Sequence, residues 1–185
     1  MITANRASAL TNVYVDTFES YDEGTQLVNG TNYWYASSTN VVVQTNDAAS
    51  GSTNAAIIPV DMTLSNRFDQ IVKPTNVWLH IETKPIRYNG SNHPTADTNA
   101  AALFYVNSSG YFVAYNGLVS DWVTITQTVE GVTVPKLASG TWVTNLDVFV
   151  DYPSKTWQIA RGTNLFSSNL GFANTTISNL SGKRI

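Results

Sequence analysis

Apolar positions along this chain come in short runs, rich in β-branched and aromatic residues and separated by Gly, Asn, Ser and Pro. That is the pattern of strands punctuated by turns. It predicts strands at residues 13–20, 33–36, 41–44, 55–60, 65–68, 77–84, 101–106, 111–115, 122–126, 142–151, 156–161 and 177–180. No window carries helical periodicity. Asn107-Ser108-Ser109-Gly110 and Asn116-Gly117 supply residues that tolerate left-handed backbone, so each predicts a tight turn. Asp151-Tyr152-Pro153-Ser154-Lys155 predicts a hairpin between the strands on either side. Residues 88–99 hold Gly, Pro, Asn and His and read as a long surface loop.

Two strands are long enough to be read face by face, because strand side chains alternate. In 77–84, Val77, Leu79, Ile81 and Thr83 form a core face. Trp78, His80, Glu82 and Lys84 form a polar face with one large aromatic. In 142–151, Trp142, Leu146, Val148 and Val150 share one face. Asn145, Asp147 and Asp151 share the other with Val143 and Phe149. Strands with one apolar and one polar face suit antiparallel sheets packed on each other. The run Tyr33-Trp34-Tyr35 sends Trp34 opposite its neighbours, as core or as a stacking platform. Trp122, Trp142 and Trp157 lie in apolar strands and are read as core.

Only 12% of the 185 residues are charged, about half the usual share. Asn, Thr and Ser number 19, 23 and 17 and solvate the surface instead. Five Trp, nine Tyr and seven Phe supply core and argue against disorder. A net charge of −3 gives no general attraction to nucleic acid or anionic membrane. No apolar run approaches the roughly 18–20 residues of a membrane-spanning helix. Cysteine is absent, so disulfides and thiolate sites are excluded. Residues 1–12 read as an N-terminal arm and 13–185 as one domain.

Several motifs resemble a known group. Asp16-Thr17-Phe18-Glu19-Ser20-Tyr21, Gly24 and Ser50-Gly51-Ser52 are similar to the opening of bacterial laminin-G-like domains. Val77-Trp78-Leu79-His80-Ile81-Glu82-Thr83-Lys84-Pro85 resembles their long central strand, and Asn107-Ser108-Ser109-Gly110-Tyr111 a hairpin. Gly140-Thr141-Trp142-Val143, Asp151-Tyr152, Lys155-Thr156-Trp157 and Asn169-Leu170-Gly171-Phe172 resemble the later strands. The resemblance implies an all-β, concanavalin A-like jelly-roll sandwich of two antiparallel sheets. It also implies glycan binding and a structural calcium ion near the first strand, with Glu19 and Gly51 as candidate ligands. Two departures matter. Glucanases of this fold carry Glu-x-Asp-x-Glu, whereas this chain reads Trp78-x-His80-x-Glu82. The family's final strand with its Asp pair has no counterpart after Ser181-Gly182-Lys183-Arg184-Ile185.

The expected function is a non-catalytic carbohydrate-binding or adhesion module of a secreted or cell-surface bacterial protein. Its candidate binding residues are Trp78, His80, Glu82, Lys84, Asp147 and Trp34, because sugar rings stack on aromatics and hydrogen-bond to fixed polar groups. The expected partner is a polysaccharide or glycan, not nucleic acid and not a membrane interior. One alternative is a structural subunit joined through sheet edges to copies of itself or to neighbouring domains. Another is a glycan-cleaving enzyme using Glu82, with Asp147 as the only candidate partner acid. Retaining hydrolysis needs two carboxyls about 5–5.5 Å apart.

Overall fold

The computed structural model describes residues 15–67, 76–180 and 182–185. The N-terminal arm at 1–12 and the start of the first predicted strand lie outside them. Twelve strands are present among the described residues: β1 (Trp34–Ala36), β2 (Val42–Gln44), β3 (Ala55–Ile57), β4 (Leu64–Arg67), β5 (Asn76–Thr83), β6 (Phe104–Val106), β7 (Phe112–Asn116), β8 (Asp121–Thr124), β9 (Val143–Asp151), β10 (Thr156–Arg161), β11 (Asn164–Gly171) and β12 (Gly182–Arg184). No helix occurs among the described residues. The chain is all-β, with antiparallel sheets ordered β1-β4-β12, β2-β3, β11-β10-β9-β5 and β6-β7-β8.

Alternation along the long strands organises the larger core. Leu146, Val148 and Val150 of β9 and Trp157 and Ile159 of β10 are buried, and Val77, Leu79 and Ile81 of β5 pack against them. Phe104 and Phe112 approach from the other sheet. Phe104 lies 6.4 Å from Trp157, and Phe112 lies 5.7 Å from Phe166. Two sheets thus share one core, an arrangement consistent with a β-sandwich. A smaller core gathers Leu27, Trp34, Val41, Val43 and Leu64 under the β1-β4-β12 and β2-β3 sheets.

The turns form for local reasons. Asn107 Oδ1 accepts the backbone N–H of Ser109 and of Tyr111 at 3.1 and 3.0 Å, closing the β6–β7 hairpin. Asn116 Oδ1 accepts from Leu118 and from Gly171, fastening the β7–β8 turn to the end of β11. There the backbones come so close that a Cβ on Gly117 would lie 1.8 Å from the Phe172 carbonyl oxygen.

Four expectations are corrected. Residues 15–20 form a turn, because Asp16 Oδ1 accepts the Phe18 N–H and Phe18 takes a left-handed φ of 64°. Residues 177–180 form no strand, although Ile177 and Leu180 do pack on the larger core. Strands β11 and β12 were not foreseen; the Ser167-Ser168-Asn169 centre of β11 has poor strand propensity, yet β10 pairs with it through an irregular register, and β12 pairs with β4. In β9 the pairing with β5 shifts between Ile81 and Thr83, which face Leu146 and Val143. The extra residue of this bulge reverses parity, so Val143 is buried and Trp142 leaves the core face.

Candidate functional site

The β5–β9 register sets Trp78 opposite Phe149 and His80 opposite Asp147. The rings of Trp78 and Phe149 are 4.7 Å apart at 43°. Trp78 nevertheless remains 56% exposed, so Phe149 braces an indole that still faces water. His80 Nδ1 lies 2.9 Å from Asp147 Oδ1. An ionised carboxylate only accepts, so the shared hydrogen sits on Nδ1 and Nε2 stays outside this bond. Strand β10 extends both rows, with Gln158 opposite Phe149 and Ala160 opposite Asp147. The result is a shallow platform. It has an aromatic row ending in an amide and a polar row ending in a methyl group.

The other candidate residues divide around this platform. Glu82 is exposed on the same strand. Asp147, its only candidate partner acid, bonds to His80 instead. Lys84 turns to Asp47, which also accepts the Trp142 indole N–H at 3.0 Å. Those two donors, Lys84 first, hold the Asp47 carboxyl below its ordinary range. Trp34 is corrected: it is 2% exposed in the smaller core and donates to Asp16 Oδ2 at 2.7 Å, so it offers no ligand a face.

The Glu19 carboxylate does not fit the expected calcium ion. Glu19 Oε1 accepts the N–H of Thr53 and of Asn54, and Oε2 accepts the Thr53 hydroxyl. These bonds, the hydroxyl first, lower the Glu19 carboxyl from its ordinary value. A cation needs oxygen ligands, and here two N–H groups and a hydroxyl already occupy the two carboxylate oxygens. Gly51 sits in the adjacent turn with φ 91° and offers only its backbone carbonyl. No group of three His, Asp or Glu side chains suited to a metal occurs among the described residues.

A second surface lies on the outer side of the β6-β7-β8 sheet. Tyr88 pairs with Asn107 in an isolated bridge, laying the 88–93 loop along β6. Tyr88, Ser91, Asn92, His93, Tyr105 and Asn107 line the resulting cleft, of about 350 Å³. The Tyr105 hydroxyl bonds to His93 Nδ1 at 2.6 Å. Burial raises the Tyr105 phenol, and the nearby Tyr88 adds to this. Trp122 extends the cluster, stacked on His93 at 6.0 Å and edge-on to Tyr105 and Tyr115. Trp122 therefore belongs to an outer aromatic layer and not to the main core. Neither Tyr105 nor Tyr115 was marked as a candidate; their alternation with Phe104, Val106 and Ala114 was the available signal, and only tertiary folding brings the 88–93 loop over Tyr105.

Comparison with family models, with curated proteins and with solved structures returns no match. The fold defines an all-β protein, and its surface chemistry alone carries the functional argument.

Proposed function

We propose that this protein is a non-catalytic carbohydrate-binding module, a concanavalin A-like jelly roll of laminin-G-like type, acting outside a bacterial cell or on its surface. The observation that carries the reading is the braced, water-facing Trp78 beside His80, Asp147 and Gln158. The apolar face of a sugar ring stacks on such an indole, while the fixed polar groups meet its hydroxyls. Lys84 is paired with Asp47 and Asp147 is bonded to His80, while Glu82 leaves an exposed carboxylate on the same strand, so a neutral glycan fits better than an anionic one.

Glycan arrays followed by calorimetric titration test this. The parent binds at least one glycan, and Trp78→Ala weakens it about tenfold, as for a truncated aromatic anchor. Equal binding by both proteins removes Trp78 from the site. No binding by the parent to any glycan sinks the reading. Tyr88→Ala is the companion variant: loss of binding there, with Trp78→Ala unaffected, moves the sugar to the cleft.

A structural role has one specific observation in its favour. β5 is eight residues long and lies at the edge of its sheet, with β9 as its one partner among the described strands. Such an edge accepts a strand from another chain. Light scattering showing a strict monomer at high concentration argues against this. Cleavage through Glu82 has the least support, and unchanged hydrolysis by Glu82→Gln excludes it.

A further inference from the structure

The smaller core encloses polar side chains that neither the platform nor the cleft uses. Strand β4 lies between β1 and β12, and its register places Trp34, Asn66 and Lys183 in one row across the three strands. Directly opposed residues project to the same face, with Cβ atoms about 4.5–5.5 Å apart. Asn66 is fully buried. The Lys183 amine lies 5.3 Å from the centre of the Trp34 ring. Asp16 Oδ2 accepts from the indole N–H of that same Trp34, and from the Tyr21 hydroxyl and the Asn32 amide. Phe18 packs on Trp34 at 5.4 Å. An amine, a carboxamide and a carboxylate are thereby gathered around one aromatic wall.

Two features set this group apart from an ordinary core. Asn66 Oδ1 is sealed from water and meets no hydrogen-bond donor, which folded proteins generally avoid. Burial also pushes the Lys183 amine below its ordinary value, against the pull of Asp16. A lowered value raises the share of neutral, nucleophilic amine.

We propose that Lys183 and Asn66 join covalently, through an amide bond between Lys183 Nζ and Asn66 Cγ that the folded chain forms by itself. The Asp16 carboxylate takes one proton from the Lys183 ammonium. The freed amine adds to Asn66 Cγ, and the negative charge on Oδ1 is met by the acid proton now on Asp16. As the carbonyl re-forms, the Cγ–Nδ2 bond breaks. The departing nitrogen takes the second Nζ proton and then the proton on Asp16. It leaves as ammonium and Asp16 returns to carboxylate. No electrons are transferred and no cofactor is consumed. The bond closes the chain between Asn66 and Lys183 into a covalent ring and replaces a primary carboxamide, whose Nδ2 donates to the Tyr33 carbonyl at 3.4 Å, with a secondary amide.

Intact mass spectrometry of the purified, denatured full chain tests this directly. The expected mass is that of the sequence less one ammonia, and peptide mapping recovers the segments around Asn66 and Lys183 as one branched species. Lys183→Arg keeps the positive charge and is expected at its full mass. Asn66→Asp is expected to lose water instead and so to reach the parent's final mass. A parent at full mass overturns the proposal. So does a deficit that persists in Lys183→Arg, the mark of a cyclised asparagine. Asp16→Asn, matched to the parent by circular dichroism, is expected at full mass; an intact bond there removes Asp16 from the chemistry.

Discussion

Asp47 sits in the link between β2 and β3, yet its two donors flank strands of the large sheet, Lys84 after β5 and Trp142 before β9. One carboxylate thereby ties the smaller core to the larger. Its folded value is lowered, as is that of Glu19. Both groups thus contribute stability that is present above the ordinary carboxylate range and lost as pH falls through the lowered values. Asp47→Asn should flatten the acid limb of a plot of melting temperature against pH. A limb as steep as the parent's would show that Asp47 contributes nothing there. Gly117 is a second residue on which much depends. Gly117→Ala forces a methyl group into the Phe172 carbonyl and should cost about 1–3 kcal/mol by urea denaturation.

At the scale of elements, β5 was legible from its residues alone. Val77, Leu79 and Ile81 pack inward while Trp78, His80 and Glu82 face water, because period-two alternation is a property of a single strand. The β9 bulge was not legible, since a register shift depends on the partner strand. For the same reason Asp147 meets His80 and not Glu82: the pairing, not the composition of either strand, decides which side chains face each other. Strand β11 was hidden by its polar centre and exists because the short turn after β10 returns Phe166 and Leu170 to the core. The β6–β7 hairpin, by contrast, announced itself through Asn107 and Gly110. Asn107→Ala removes the acceptor of two N–H groups and should lower stability by about 1 kcal/mol, measured by chemical denaturation; no change would place the turn's stability in Gly110 instead.

Across the whole molecule, the platform and the cleft lie on opposite outer faces of the two sheets that share the larger core. Trp157 marks the middle of that core, fully buried, with its indole N–H donated to the Gly171 carbonyl at 3.1 Å. Tyr152 lies at its edge, and burial pushes its phenol up to about 12. Burial first, then the bond to Asp16, does the same for Tyr21. A raised folded value means stability that is full below the ordinary tyrosine value of 10.0 and is lost as pH rises toward about 12. Thermal melts should therefore fall off above about pH 10, and Tyr152→Phe should soften that decline. The β5 row of the platform was legible from its own strand, whereas Phe149 and Gln158 join it only through strand pairing. The cleft was not legible, because it joins a loop to a sheet across the chain's own tertiary pairing.

The five tryptophans stand in unequal environments, and this makes the native protein its own optical probe. Trp34 and Trp157 are shut away and Trp122 and Trp142 are half-covered, whereas Trp78 meets the solvent directly. A water-borne quencher such as iodide reaches Trp78 first, dimming the red-shifted part of the emission. Under the proposed function, a sugar seated on that indole would shield it. A loss of quenching would then report occupancy of the platform, without a label and without any substitution.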